Sequence, residues 1–244
     1  MVDIAAIERS TLAAVPPLAQ EELAGWLLAF DPGTVGRCHS AVPLSHEVPP
    51  GDLLDPVESR YAQAGLPAVL RLPGVPAFDA FRVQLHERGY RSFKPTLVQV
   101  ARLADLPPES GAREVEIRES AGADWEQVFL GEGFDPVDGA SRLSILRRAR
   151  GSLFAAIRLD GRIVAVGCAG LAHGWCGIHG MRTLPAVRGR GLARSVIAAL
   201  AREAQARGLS QAFLQVEQGN TVALSLYGRL GFTTAWGYTY WKKA

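Results

Sequence analysis

The chain has 244 residues, 48% of them apolar and 20% charged, with a net charge of +2. This composition is typical of a soluble globular protein with one large or two small domains. The charge is too near neutral to favour a nucleic-acid partner, and no apolar run is long enough to cross a membrane. The three cysteines lack metal-ligand spacing and no secretory leader is visible, so we expect a cytoplasmic protein without a metal.

The first 104 residues predict alternating strands and helices, followed by a linker. Residues 105–112 read Asp-Leu-Pro-Pro-Glu-Ser-Gly-Ala, a turn-rich composition that we interpret as the linker. The predicted elements before it are a strand at Ser40–Leu44, a helix at Leu54–Ala64, a strand at Ala68–Leu72, a helix from Phe78 to Gly89 and a strand at Thr96–Leu103.

Residues 113–184 predict a strand, two short helices and three further strands. Asp160-Gly161 is a strong two-residue hairpin signal. Two glycines, Gly177 and Gly180, interrupt the last of these strands and favour a bulge or a close backbone approach there. The predicted elements are Arg113–Arg118, Asp124–Gly131, Val137–Ala149, Ser152–Leu159, Arg162–Leu171 and Trp175–Leu184.

The next segment, Arg188-Gly-Arg-Gly-Leu-Ala193, lies between that strand and a long amphipathic helix pattern that ends at Gly208. Glycines allow a tight turn, and the N–H groups of such a loop and of the first helical turn favour an anion. The segment is therefore a candidate phosphate-binding loop. A simple helix entry without a ligand is the alternative that these six residues leave open.

The last part of the chain predicts a strand at Gln211–Val216, a short helix and a final aromatic-rich strand around Tyr238–Trp241. Asn220 precedes that helix, Tyr227 follows seven residues later, and Gly231-Phe232 ends it. Together with Arg188–Ala193, these residues resemble the two signatures of the GNAT superfamily of N-acetyltransferases. The resemblance covers about 130 residues, and both signatures occur in the usual order and separation.

The resemblance implies an α/β (α+β layered) fold whose central sheet is mixed, mostly antiparallel and flanked by helices. It also implies acetyl-CoA as cosubstrate, with its pyrophosphate on the backbone of Arg188, Gly189, Arg190, Gly191, Leu192 and Ala193. The pantetheine arm would follow Met181, Arg182 and Thr183, and a backbone N–H near Met181 would face the acetyl carbonyl. Arg182 has an equal alternative as a surface charge or a carboxylate partner.

By the same resemblance, Tyr227 would contact the sulfur of coenzyme A and protonate it as it leaves; a packing tyrosine is the alternative. Asn220 would bond the pantetheine arm, cap the following helix, or do both. We assign the general base to Glu217, which ends a strand beside the expected cleft, with His179 as second candidate. Glu217 could equally be a solvated charge, His179 a structural residue, and a water chain could serve instead.

The N-terminal predicted elements repeat the order of the C-terminal ones, which indicates a tandem repeat. The counterpart of the loop Arg188–Ala193, the glycine and arginine loop, is Glu47-Val-Pro-Pro-Gly-Asp-Leu53. Its prolines remove N–H donors and its acidic groups repel phosphate. We expect residues 1–104 to form a degenerate GNAT-like half and residues 113–244 the catalytic domain. An unrelated α/β cap is the alternative for the first half.

The sequence therefore predicts an acetyl-CoA-dependent N-acetyltransferase for a small-molecule or amino-acid-like amine, acting as a monomer or homodimer. The N-terminal half would wall the acceptor site. A CoA-binding sensor without activity is one alternative, although an intact Tyr227 and Asn220 argue against it. An acetyltransferase for protein N-termini or lysines is another, and the near-neutral charge gives no sign of the acidic peptide groove it would need.

Overall fold

The computed structural model describes residues 2–108, 114–131 and 134–243. Its helices are α1 (Ile4–Ala14), α2 (Leu54–Gln63), α3 (Asp79–Glu87), α4 (Ala123–Leu130), α5 (Pro136–Arg148), α6 (Leu192–Ala206) and α7 (Thr221–Arg229). Its strands are β1 (Ala19–Leu23), β2 (Trp26–Phe30), β3 (Ala41–Pro43), β4 (Val69–Pro73), β5 (Tyr90–Arg102), β6 (Val115–Arg118), β7 (Ser152–Leu159), β8 (Arg162–Ala172), β9 (Trp175–Thr183), β10 (Gln211–Glu217) and β11 (Thr233–Lys243).

Within the described residues all strands join one sheet, in the order β1-β2-β3-β4-β11-β5-β10-β9-β8-β7-β6. The arrangement is nearly the same from either end. Each side has one parallel pair, β3 with β4 and β9 with β10, and the other neighbouring pairs are antiparallel. The predicted fold class is thus confirmed: a tandem α/β fold with mixed, mostly antiparallel sheet.

The two halves exchange their last strands at the centre of the sheet. Strand β5 of the first half pairs with β10, strand β11 of the second half pairs with β4, and β5 and β11 pair with each other. Each half is therefore completed by a strand from the other. The division at residues 105–112 stays a prediction, and residues 109–113 lie outside the described part of the chain.

Helix α1 covers one face of the sheet in both halves. In the second half, a Cβ at Gly170 would lie 2.5 Å from that of Ala14, so the helix backbone lies directly on β8. In the first half, Leu12 packs with apolar residues of β2 and β3. Helices α2 and α3 pack on the opposite face there, as α6 does in the second half. Helix α4 shares the face of α1, against Cys168 and Val166.

A buried ion pair fixes α1 to the first half. Glu8 Oε2 lies 2.8 Å from Arg71 Nη1, and both side chains are excluded from solvent. The Arg71 guanidinium also donates to Ser40 and lies over the ring of Tyr238. Removing one partner of such a pair leaves an uncompensated buried charge and costs about 3–5 kcal/mol. The position of α1, which the sequence patterns did not predict, is therefore strongly determined.

The predicted elements occur at or near their expected positions, with two main differences. The final strand begins at Thr233 and β5 begins at Tyr90, both earlier than their patterns indicated. Strands β1 and β2, like α1, were not predicted. No helix of the described residues is long and apolar enough to cross a membrane.

Candidate active site

Strands β9 and β10 separate halfway along their length. They pair in parallel only as far as Ile178 and Leu214. Beyond that point β9 continues along β8 to Thr183, and β10 continues along β5 to Glu217. The wedge between residues 179–183 and 215–217 exposes strand edges to which a peptide-like chain can add.

A bulge in β9 lies at the apex of this wedge. His179 pairs with Cys168 and Arg182 with Val166, so β9 has one residue more than β8 between them. Gly180 has φ +64°, and a Cβ there would lie 2.7 Å from Cys168 Sγ. The bulge directs the side chain of Met181 onto Gly167 and α6. Arg182 instead lies towards α4 and α5, over the ring of Phe134.

The glycine and arginine loop forms the entry to α6. Gly189 and Gly191 have φ near +77°, a left-handed conformation that favours glycine. Gly191 is the N-cap of α6 and supplies no side-chain acceptor, so the first N–H groups of the helix are left for a ligand. Arg188 Nε donates to the carbonyl of Thr183 at 3.2 Å, which ties the loop to the end of β9. Leu192 is buried in the core, whereas Arg188 and Arg190 are exposed.

The counterpart in the first half has a different backbone. None of residues 47–53 has a positive φ. Leu53, the N-cap of α2, also lacks a side-chain cap, but Pro49 and Pro50 stand before it without N–H donors. This segment lacks the two left-handed glycines that shape the loop at Arg188–Ala193.

Helix α7 follows the end of β10, with Asn220 as its N-cap, and Tyr227 of this helix packs in the same cluster as Met181 and α6. Asn220 Oδ1 accepts a hydrogen bond from Ala223 N at 3.1 Å, so this side chain caps the helix. The ring of Tyr227 packs edge-on against Phe232, and burial raises the pKa of its phenol. Within the described residues the hydroxyl makes no hydrogen bond, and it is not sealed from solvent.

The two candidate bases lie in different environments. Glu217 is 59% exposed at the end of β10, and its carboxylate lies 3.1 Å from Lys94 Nζ. His179 is half-buried, with Nδ1 3.3 Å from Cys168 Sγ. Burial lowers the pKa of His179 to about 3 and raises that of Cys168. His179 is therefore neutral at neutral pH, and Cys168 is an un-ionised thiol rather than a nucleophile.

Polar side chains form the floor of the cleft on the face that bears α1. Tyr238 donates to Gln215 Oε1 at 2.8 Å, and Gln215 Nε2 donates to Thr11 at 2.9 Å. The hydroxyls of Tyr238 and Tyr240 are 3.5 Å apart. A hydrogen-bonded floor beside the wedge suits a polar ligand better than an apolar one.

The segment before β3 docks onto α5 and closes one side of this cleft. Thr34 N donates to Ser141 Oγ at 2.9 Å, and Thr34 Oγ1 donates to Asp138. Arg148 pairs with Asp31 at 2.6 Å. The first half of the chain thus supplies a wall of the cleft, next to a helix of the second half.

Similarity to known proteins identifies the family of this chain. Residues 1–241 match the family model described as "Probable histone acetyltransferase Rv0428c C-terminal". The chain belongs to this acetyltransferase family. It is 26% identical to an uncharacterized N-acetyltransferase, YobR, of Bacillus subtilis over 238 residues, 96% of both chains.

Solved structures with the same fold include other members of the GNAT superfamily. One is a GCN5-related N-acetyltransferase from Kribbella flavida, with a TM-score of 0.70, 19% identity and coverage of 100% of this chain and 96% of that one. Another is a tandem GNAT protein from the clavulanic acid biosynthesis pathway, with a TM-score of 0.61, 14% identity and coverage of 96% and 86%. The protein is a GNAT acetyltransferase, and the enzyme class predicted from the sequence is confirmed.

The structure brings the predicted residues of this acetyltransferase around one wedge, with the roles assigned to them still predictions. The loop Arg188–Ala193 and the bulge at Met181 lie on its β9 side. Glu217 ends the β10 side, and α7 with Asn220 and Tyr227 follows it. Sequence reasoning predicted an N-terminal wall, but it missed Lys94 and the individual wall residues such as Thr34, since none of them lies near a signature. In the described parts of the chain, no group of three or more His, Cys, Asp or Glu side chains could hold a metal.

Proposed function

We propose that this protein transfers the acetyl group of acetyl-CoA to the amine of a small-molecule or amino-acid-like acceptor. The observation that carries the proposal is the separation of β9 and β10 beside an uncapped helix N-terminus with left-handed Gly189 and Gly191. Open strand edges suit the amides of a pantetheine arm, and the free N–H groups suit a pyrophosphate. Family membership supports acetyl-CoA as the cosubstrate.

In this proposal the loop Arg188–Ala193 binds the pyrophosphate, and Met181, Arg182 and Thr183 border the pantetheine arm. The exposed guanidinium of Arg188 adds positive charge beside the loop N–H groups. Asn220 uses Oδ1 to cap α7 and keeps its amide N–H groups for the arm. No metal takes part in the proposed chemistry.

The reaction is a direct attack by the amine nitrogen on the thioester carbonyl. A backbone N–H at the β9 bulge stabilises the negative charge on the carbonyl oxygen. The carbon–sulfur bond breaks, and Tyr227 donates its proton to the departing thiolate. Burial raises the pKa of that phenol, so it is protonated when the carbon–sulfur bond breaks. The thiol of coenzyme A, whose ordinary pKa is about 8.5, then returns the proton to the tyrosinate.

Glu217 takes the proton that the amine loses, directly or through water. It is the carboxylate at the open end of β10, and Lys94 beside it holds it in place. His179 is a weaker candidate, because a base whose pKa is about 3 has little affinity for the proton.

The N-terminal half serves as a wall of the acceptor site and does not bind cosubstrate in this proposal. The docking of Thr34 and Asp31 onto α5 supports the first part. The proline-containing segment 47–53, without left-handed residues, supports the second.

The test is release of free thiol from acetyl-CoA in the presence of a panel of amines, with acetyl-CoA binding measured separately by calorimetry. We expect tight binding of acetyl-CoA at a single site and amine-dependent thiol release. Binding without acceleration by any amine would instead indicate a CoA sensor. Activity confined to peptides would indicate a protein acetyltransferase.

A further inference from the structure

The cleft contains an arginine, Arg37, that has no carboxylate within ion-pair distance among the described residues. The Arg37 charge also acts on Glu8, but that carboxylate is paired with Arg71. Arg37 lies in a 3-10 turn at Gly36–His39 and is half-buried. Within the described residues it forms no ion pair and no hydrogen bond. A half-buried guanidinium has lost part of its hydration, so a site that keeps one unpaired is suited to an anion from outside the protein.

The turn that carries Arg37 is held rigidly against three elements. A Cβ at Gly36 would lie 2.9 Å from the ring of Tyr240 in β11. Cys38 Sγ donates to the carbonyl of Val15 at 3.1 Å and packs with Ile145 of α5. These contacts fix the backbone on both sides of Arg37, so the position of its Cα atom beside the polar floor is well determined.

Arg37 extends from a turn that contacts Tyr240 of the polar floor, and its charge acts on groups near the bulge of β9. Its positive charge contributes to the lowered pKa of His179 and opposes the raised pKa of Cys168 and of Tyr240. His179 immediately precedes the bulge at Gly180. The Arg37 charge therefore acts on the part of the cleft where the acetyl group meets its acceptor in the proposed function.

This place is well separated from the pyrophosphate loop. That loop is tied to Thr183, four residues beyond His179 along β9. An extended strand advances about 3.3 Å per residue, so the two places are roughly 13 Å apart. An anion at Arg37 is thus a different group from the phosphates of the cosubstrate.

Most of the other charges around the cleft are paired. Arg142 pairs with Asp138 at 2.9 Å, Lys94 with Glu217 at 3.1 Å, and Glu8 with Arg71 at 2.8 Å. Arg182 has an aromatic contact and, among the described residues, no carboxylate partner. The balance of the described groups is positive, which disfavours a lysine-rich peptide and favours an acceptor with a negative group.

We infer that Arg37, a residue of the N-terminal half, binds the carboxylate of the acceptor, and that the acceptor is an amine with a carboxylate nearby, such as an α-amino acid. The inference rests on the proposed acetyl transfer and specifies its acceptor. The amine would lie at the wedge beside Glu217, and the carboxylate would form charge-assisted hydrogen bonds with the guanidinium.

The experiment compares matched acceptors on the full chain. The twenty common L-α-amino acids and their carboxamides are assayed for thiol release at saturating acetyl-CoA, with the wild type, Arg37→Gln and Arg37→Lys. A hydrogen bond to a charged group contributes about 1.5–3 kcal/mol, or roughly 10–150-fold in kcat/KM. We expect the best acceptor to be a free acid that exceeds its amide by this factor.

Arg37→Gln should lower kcat/KM for the acid by the same factor, chiefly through KM, and leave the amide unchanged. Arg37→Lys should recover part of the loss. Arg60→Gln is the control, since Arg60 is a surface arginine paired with Glu21. Equal melting temperatures and acetyl-CoA affinities would show that the variants are folded.

Two outcomes would overturn the inference. Equal use of acids and amides by the wild type, or an equal loss of both in Arg37→Gln, would refute the carboxylate site while leaving N-acetyl transfer intact. If no amine accelerates thiol release, the proposed function itself fails, and the acceptor inference fails with it.

Discussion

Gly191→Glu is the sharpest test of the pyrophosphate loop, because it places a carboxylate where the proposal needs a phosphate. Gly191 has φ +77° and forms the N-cap of α6. Gly191 is exposed and an ideal Cβ there meets no atom within 4 Å, so the new side chain begins in open space. The change therefore adds backbone strain and negative charge, and it removes no packing.

Backbone strain sets the expected loss of stability, and charge repulsion sets the expected loss of acetyl-CoA affinity. Left-handed backbone costs a residue with a Cβ about 1–2 kcal/mol. At about 2–4 °C per kcal/mol for a chain of this size, the melting temperature should fall by roughly 2–8 °C. A carboxylate about 5 Å from one phosphate charge is repelled by ~3 kcal/mol at an effective dielectric constant of 20. Affinity for acetyl-CoA should therefore fall about 100-fold or more.

The assay is calorimetric titration with acetyl-CoA, together with thermal unfolding. Gly65→Glu is the matched control: Gly65 has φ +68°, also meets no atom within 4 Å, and lies beyond the end of α2, far along the chain from the loop. It should show the same loss of melting temperature and unchanged affinity. Gly191→Asn adds a side chain without charge and should weaken binding much less than Gly191→Glu.

Salt provides a second readout of the same effect. Repulsion between exposed charges is screened, so the difference between Gly191→Glu and Gly191→Asn should shrink as ionic strength rises. An affinity of Gly191→Glu within threefold of the wild type would refute the assignment of the pyrophosphate to this loop. A loss equal to that of Gly191→Asn at every salt concentration would refute the electrostatic reasoning.

Three further predictions concern the chemistry and the stability of the site. Tyr227→Phe should lower kcat about 10²-fold or more and leave acetyl-CoA affinity unchanged, because only the proton donor is lost; an unaltered kcat would exclude that role. Glu217→Gln should lower kcat by a similar factor, whereas Glu203→Gln, which alters a half-exposed carboxylate paired with Arg207, should have no effect. For His179, the folded pKa of about 3 lies below the ordinary 6.5, so between these values the unfolded chain binds a proton that the folded chain does not. The free energy of unfolding should therefore fall by on the order of 2–4 kcal/mol as pH drops through this window. Urea unfolding should show a smaller fall for His179→Gln. An equal fall in the variant and the wild type would contradict this reasoning.

The turns, the helix cap and the bulge of the site could be predicted from sequence, because each depends on the conformational preferences of a few neighbouring residues. A glycine at 189 and 191 permits the left-handed turn into α6, and Asn220 caps α7 through its own backbone neighbours. The bulge in β9 followed from the glycines within an otherwise extended pattern. Each of these features depends on residues a few positions apart.

Contacts between residues far apart in the sequence could not be predicted in this way. Lys94 meets Glu217 only because β5 lies beside β10, and no pattern within either segment indicates that pairing. The turn that carries Arg37 packs between Tyr240 and α5, and no pattern around Arg37 indicates these contacts. Helix α1 was missed as well, since its polar Glu8 and Thr11 are buried and weaken the amphipathic pattern.

The sequence by itself determined the order of strands and helices from β3 onward, the tandem repeat and the two signatures of an acetyltransferase. These follow from periodicity, capping and turn chemistry, which act over a few residues. Only the tertiary structure decided that the halves exchange β5 and β11, and so share one continuous sheet. Strand pairing and charge burial depend on which distant segments meet. The exchange of β5 and β11 is such a meeting, and it joins the N-terminal half to the half that contains the cleft.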